Sequence, residues 1–291
     1  MGRFFIIIRR MTRLFVKRLT VIDFSYLHTE RGLLGESWQV DVELSGKLDD
    51  KGMVLDFSDV KKTIKHLIDK EFDHKLIIPT LFPGSQTQQL DQQLKNTFTT
   101  NRGETFEHTA PESAYCFVET AQITEDSLKL AIEKRLQDLL PENVETIKLT
   151  IYPELIEGAY YHYSHGLKLH EGNCQRIAHG HRSRIEIFEN GQRSTKLENE
   201  WAEKWRDIYI GSRADLIGQQ DGNFHFSYQA CQGSFDLILP TCRCYLIDTD
   251  STVENLARHI LQEITNEQPD KSIEVHAFEG VDKGSIESTV L

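Results

Sequence analysis

The sequence predicts an α+β chain built by internal duplication. Two observations carry this. Strand-like and helix-like segments recur in a similar order in the two halves, and 291 residues are enough for two ordinary units. We place a short extension at 1–12, a first unit at 13–156 and a second unit at 157–291.

In the first unit, residues 13–24 and 38–45 are rich in β-branched and aromatic residues with partial alternation, so both read as strands. The polar stretch between them reads as a connection. Lys47–Met53 is a turn. Asp56–Phe72 reads as a helix with Val60, Ile64, Leu67 and Ile68 on one face and Asp56 or Ser58 as its cap. Residues 80–110 are rich in Gln, Thr and Pro and read as a long loop. A second helix is expected over 111–140, between Pro111 and Pro141, then a strand over 145–154.

The second unit repeats the theme. Residues 157–164 and 183–188 read as strands, the latter closed by an Asn190-Gly191 turn. Helices are expected over 194–208 and 251–266, and a last strand over 272–278. Residues 210–245 read as loops and short strands.

Hydrophobic residues are 39% and charged residues 27%, as in globular proteins at large, and the formal net charge is -12. That balance argues against nucleic-acid or anionic-membrane partners. The apolar run Phe4–Ile8 is too short to span a bilayer or to form a signal-peptide core. Met11 marks an alternative start, and residues 1–10 are expected to have no part in the fold. Five cysteines (116, 174, 231, 242 and 244) without an export signal point to a reduced, cytoplasmic chain. Cys242-x-Cys244 reads as ordinary strand cysteines.

The strongest chemical signal spans 165–183. On a strand, His179 and His181 project to one face, and Gly180 between them lets the backbone pass close to an ion. A third imidazole, from His162, His165 or His170, would complete three ligands and leave one position open, as in catalytic zinc sites. Cys174 lies five residues before His179. Beside a dication a thiol gives up its proton more readily, and the thiolate so formed is suited to moving a proton at carbon.

These residues resemble the 6-pyruvoyltetrahydropterin and 6-carboxytetrahydropterin synthase family. Tyr161-His162-Tyr163-Ser164-His165 matches its first-ligand motif, which selects His165; His179-Gly180-His181 matches its His-Gly-His pair, and Cys174 its catalytic cysteine. Phe24-Ser25-Tyr26-Leu27-His28 resembles the first-ligand motif again. Gly52-Met53-Val54-Leu55-Asp56-Phe57 matches a turn of the family, and Phe72-Asp73-His74-Lys75-Leu76 matches its proton-relaying Asp-His pair. The resemblance implies two tandem tunnelling-fold units, each an antiparallel four-stranded sheet with two helices packed on one face.

The halves depart from the pattern in opposite places. The first has Leu34-Gly35-Glu36 where His-Gly-His belongs, and has no cysteine before Cys116. The second has no Asp-His pair between 192 and 245. One composite site is therefore expected, with zinc on His165, His179 and His181, Cys174 as base, and His74 held by Asp73.

The resemblance also implies a pterin-anchoring glutamate. Glu154 and Glu279 both fit, and the context of Glu279 is the closer. Thr252, Glu254 and Asn255 resemble the pocket-lining helix start. The implied substrate is 7,8-dihydroneopterin triphosphate, with Lys168, Arg176, Arg182 and Arg184 as candidate triphosphate contacts. The implied product is 6-carboxytetrahydropterin, of the queuosine pathway, or alternatively 6-pyruvoyltetrahydropterin. A non-catalytic pterin- or zinc-binding relative is the rival reading. A homo-oligomer is implied as well.

Overall fold

The structure is a computed structural model that describes residues 11–289. The reading of residues 1–10 lies outside that range.

The chain opens on two long strands, β1 (Thr12–His28) and β2 (Gly32–Gly46), paired antiparallel. What read as a polar connection is almost all strand, because only Thr29–Arg31 turn. Next come α1 (Phe57–Val60), a π-helical turn (Lys61–Lys65) and α2 (His66–Glu71), a near-continuous helix capped by Asp56, whose carboxylate accepts the Ser58 N–H. Val60, Ile64, Leu67 and Ile68 are buried, as the spacing predicts.

β3 (Leu76–Pro79) follows, then β4 (Ser85–Leu90), β5 (Gln93–Thr99) and β6 (Thr105–Ala110). The expected loop over 80–110 is thus a three-stranded meander. Its pattern is masked for two reasons. β4 is an almost wholly exposed edge, and the inward positions of β5 and β6 include the polar Asn96 and His108 among Leu94, Phe98, Phe106 and Ala110. The helix expected over 111–140 is also corrected. Tyr115–Val118 is strand β7, and α3 (Glu125–Leu136) begins only at the Thr124–Ser127 capping box. β8 (Val144–Pro153) closes the first half.

The second half repeats this plan with β9 (Tyr160–His165), β10 (His179–Glu189), β11 (Gln192–Arg193), α4 (Thr195–Lys204) and β12 (Ile208–Ser212). A second meander follows: β13 (Leu216–Gln220), β14 (Asn223–Ala230) and β15 (Gly233–Pro240). Residues 210–245 are therefore mostly strand. β16 (Cys244–Ile247), α5 (Val253–Glu267), β17 (Ile273–Phe278) and β18 (Gly284–Ser288) complete the chain.

Each half forms one sheet with its helices packed against it. The first runs β7-β3-β1-β2-β8 and the second β16-β12-β9-β10-β17-β18, with β11 paired to β10. Both are mixed and larger than the expected four antiparallel strands, because β3 and β7 join in parallel, as do β12 and β16. The two meanders join into a third, six-stranded sheet, β13-β14-β15-β6-β5-β4, through β6 and β15. Beneath it lies a core shared by both halves, including Leu33, Phe98, Phe106, Phe226, Phe235 and Leu237.

The halves meet face to face where β1–β2 crosses β9–β10. Ser25 Oγ and Ser164 Oγ lie 2.7 Å apart. Gly35 and Gly180 permit the approach: a Cβ on Gly35 would sit 1.8 Å from the Tyr163 carbonyl oxygen, and one on Gly180 would sit 2.7 Å from the Gly35 Cα.

Candidate active site

β10 alternates, so His179 and His181 share a face while Arg182 and Arg184 take the other. Antiparallel pairing sets His165 of β9 directly across from His179, and their rings lie 4.4 Å apart between centroids. The His181 ring is 5.3 Å from His165 and 5.8 Å from His179. One ligand atom from each of the three lies within 4.8 Å of the others.

All three imidazoles are buried, and each has an Nε2 with no hydrogen-bond partner. The remaining nitrogens of two are occupied. His165 Nδ1 faces the Ser251 carbonyl and hydroxyl at 3.0 Å, and His179 Nδ1 faces the Arg176 carbonyl at 2.9 Å. That is how outer groups fix the tautomer and aim of metal-binding histidines. His181 Nδ1 lies 3.2 Å from Asp23 Oδ1 of the first half. Burial, reinforced by the neighbouring imidazoles, pushes His165 and His179 well below the ordinary histidine range, which keeps them neutral as ligands must be. Three buried, convergent imidazoles, each with an unpartnered Nε2, fit a zinc ion.

The first half supplies the rest. The β3 end of α2 turns at His74, whose φ is +53°, and the His74 N–H donates to the Asp23 carbonyl. Asp73 Oδ2 lies 2.6 Å from His74 Nδ1, while Asp73 Oδ1 accepts the Asp23 N–H. The His74 ring sits 5.1 Å from that of His179. His74, Cys174 and His179 each place one ligand atom within 4.8 Å of the other two. Burial opposes charge on His74, but Asp73 and Cys174 outweigh it and raise the imidazole to about 10. The Asp-His pair and the Cys–His cluster thus meet within one chain.

Asp23 was not legible as a site residue. Burial alone would raise its carboxyl, yet His181, Lys283 and the Ser37 hydroxyl hold it well below the usual carboxylate range. It accepts from Ser37 Oγ at 2.5 Å and from Lys283 Nζ at 2.9 Å. It directly precedes the Phe24-Ser25 motif, but only the packing of the halves brings it to His181.

The other sequence candidates are spread around this centre. Glu279 Oε1 lies 3.7 Å from His181 Nε2. Glu154 instead pairs with Arg184 at 2.6 Å. Thr252 caps α5, and Glu254 is exposed on its first turn. Lys168 is paired with Asp215; Arg182 stacks on Tyr160, and Arg184 packs on Phe278 and pairs with Glu154, on the strand face turned from the histidines. Arg176 donates to the His74 carbonyl and to Gln232 Oε1.

Strand register corrects one sequence match. Ser25 opposes Gly35 as Ser164 opposes Gly180. The counterparts of His165, His179 and His181 are therefore Tyr26, Leu34 and Glu36. His28 lies two residues beyond, its Nδ1 accepting the Glu30 and Arg31 N–H groups. Likewise Leu76 pairs with Ser25 as Tyr209 pairs with Ser164, so Asp207 stands in the place of His74. Arg31 holds Asp207 through two hydrogen bonds, of 2.8 and 2.5 Å. Glu36 lies 3.6 Å from His162, mirroring Asp23 and His181. This second, related corner has one imidazole and an ion pair where the first has the histidine cluster.

Comparison with known proteins agrees with the duplication. The 6-pyruvoyl tetrahydropterin synthase family pattern matches twice, over residues 20–160 and 154–283. A protein of Archaeoglobus fulgidus named "Putative 6-carboxy-5,6,7,8-tetrahydropterin synthase" is 44% identical over 43 residues, which is 15% of this chain. The match spans 36% of that relative's length. Solved 6-pyruvoyltetrahydropterin synthases of Plasmodium vivax and Plasmodium falciparum superpose with TM-scores of 0.42 and 0.41, at 18% and 17% identity. They cover 51% and 49% of this chain, and 95% and 91% of their own chains are covered. With two matches that together take in nearly all of its length, the chain belongs to the 6-pyruvoyl tetrahydropterin synthase family.

Proposed function

We propose that this chain is a zinc-dependent lyase converting 7,8-dihydroneopterin triphosphate and water to 6-carboxytetrahydropterin, acetaldehyde and triphosphate. One observation carries the reading: three buried imidazoles with unpartnered Nε2 atoms adjoin a cysteine and an Asp-oriented histidine. The name of the Archaeoglobus relative favours the 6-carboxy product.

His165, His179 and His181 hold the zinc, which when bound supplies Lewis-acid polarisation of substrate oxygens. Cys174 Sγ takes a proton from the side-chain carbon of the pterin. Asp73 Oδ2 holds the Nδ1 proton of His74, which leaves His74 Nε2 to exchange a proton with a side-chain hydroxyl. Glu279, beside His181, accepts hydrogen bonds from the N–H groups of the pterin ring.

The test is product analysis of the purified protein with 7,8-dihydroneopterin triphosphate, alongside its metal content. Stoichiometric zinc with release of acetaldehyde and 6-carboxytetrahydropterin is expected. Formation of 6-pyruvoyltetrahydropterin would overturn the product assignment. Pterin binding without any turnover would overturn the enzymatic one.

A further inference from the structure

Cys174 sits in a long loop, residues 166–178, where the first half has only the turn Thr29–Arg31. A base on a loop acts only if something holds it in place. Within the loop, the Leu167 N–H donates to the Cys174 carbonyl, and the Arg176 N–H donates to the Asn173 carbonyl. Further support comes from the β14–β15 hairpin, far away in sequence.

There, Gln232 is bonded at both ends of its amide. Its Nε2 donates to Asn173 Oδ1 at 2.8 Å, and its Oε1 accepts from Arg176 Nε at 3.0 Å. These two residues flank Cys174. The Gln232 N–H donates to Gln175 Oε1 at 2.6 Å, and Tyr228 Oη donates to the Gln175 carbonyl at 2.8 Å. Gln175 and Arg176 are both buried. Arg176 then extends the chain of contacts in two directions. Its NH1 donates to the His74 carbonyl at 3.1 Å, and its carbonyl faces His179 Nδ1 at 2.9 Å.

We infer that Gln232 is a positioning residue for Cys174, holding the cysteine loop in register with His74 through Asn173 and Arg176. The meander of the second half would then serve the site as well as the third sheet. The inference rests on the catalytic reading above for its kinetic consequence, but its geometric content is independent of it.

The experiment uses the full chain with Cys231→Ser, so that the neighbouring exposed thiol does not confuse the labelling. Gln232→Leu removes both amide bonds at nearly constant volume. Gln232→Glu keeps the acceptor for Arg176, and the Asn173 amide can rotate to donate to it. With Gln232→Leu we expect kcat to fall about 10- to 100-fold, KM to change by less than about threefold, and zinc content to stay at the wild-type level. Gln232→Glu should recover most of kcat. The alkylation rate of Cys174 by iodoacetamide, read peptide by peptide in the mass spectrometer, should change by more than about threefold in Gln232→Leu alone.

Unchanged kcat and unchanged Cys174 alkylation in Gln232→Leu would overturn the inference. So would equal damage in the Leu and Glu variants. Should Gln232→Leu fail to fold, Asn173→Ala cuts the other end of the same bond and must show the same alkylation change. A wild-type protein that holds zinc and turns over no pterin defeats the catalytic reading alone, and the alkylation ratio still decides the role of Gln232.

Discussion

Replacing His108 with leucine should flatten the acid side of the stability profile. His108 lies on β6, at the seam where the two meanders join opposite Leu237 of β15. It is 3% exposed, and neither ring nitrogen has a hydrogen-bond partner. Burial alone lowers its imidazole to about 3. An unfolded histidine titrates near 6.5, so the unfolded chain takes up a proton that the folded chain refuses. The folded pKa is depressed, and the group therefore costs stability increasingly as pH falls from about 6.5 towards about 3. The shift of about 3.5 units corresponds to about 5 kcal/mol in full, and to about 2 kcal/mol at pH 5. Urea midpoints of wild type and His108→Leu at pH 7.5 and pH 5.0 measure it. Other buried histidines, such as His162, His165 and His179, titrate in both proteins and cancel in the difference. The loss between the two pH values should be about 2 kcal/mol smaller in the variant. Equal losses in both proteins would refute the reasoning and would mean that the folded state can accommodate the imidazolium.

Four further outcomes follow from the site and the seam. Cys174→Ala should lower turnover of dihydroneopterin triphosphate by about 100- to 10,000-fold with zinc content unchanged; normal turnover would remove the cysteine from the mechanism. His74→Ala should lower it by a similar factor, and normal turnover in this variant alone would leave the zinc site standing without its partner from the first half. His181→Ala should lose stoichiometric zinc, measured by elemental analysis after dialysis, because two imidazoles seldom retain the ion; full retention would exclude His181 as a ligand. Gly35→Ala should lower the melting temperature by roughly 10 °C or abolish folding, since its Cβ would lie 1.8 Å from a backbone oxygen that cannot rotate away. A melting temperature within a degree of wild type would show that the halves can separate there at little cost.

The sequence by itself determined the local chemistry. His179-Gly180-His181 needs only strand alternation to put two imidazoles on one face, and Asp73-His74 needs only adjacency for the carboxylate to reach the ring. Asp56 announces its helix because a cap is bonded within its own turn. The meanders were not legible. Their inward faces carry His108 and Asn96, and β4 is an edge with nothing to bury, so the period of two has no apolar signal to ride on. Register also lay beyond the one-dimensional pattern. Tyr26, not His28, corresponds to His165, because pairing is counted from Ser25 opposite Gly35 and not from the nearest similar letters. Only the tertiary structure brings Asp23 to His181, Arg176 to His74 and Gln232 to the cysteine loop. Each of those contacts joins separate segments, two of them from opposite halves. The two that cross between halves depend on the close approach of two sheets at Gly35 and Gly180, which no local preference encodes.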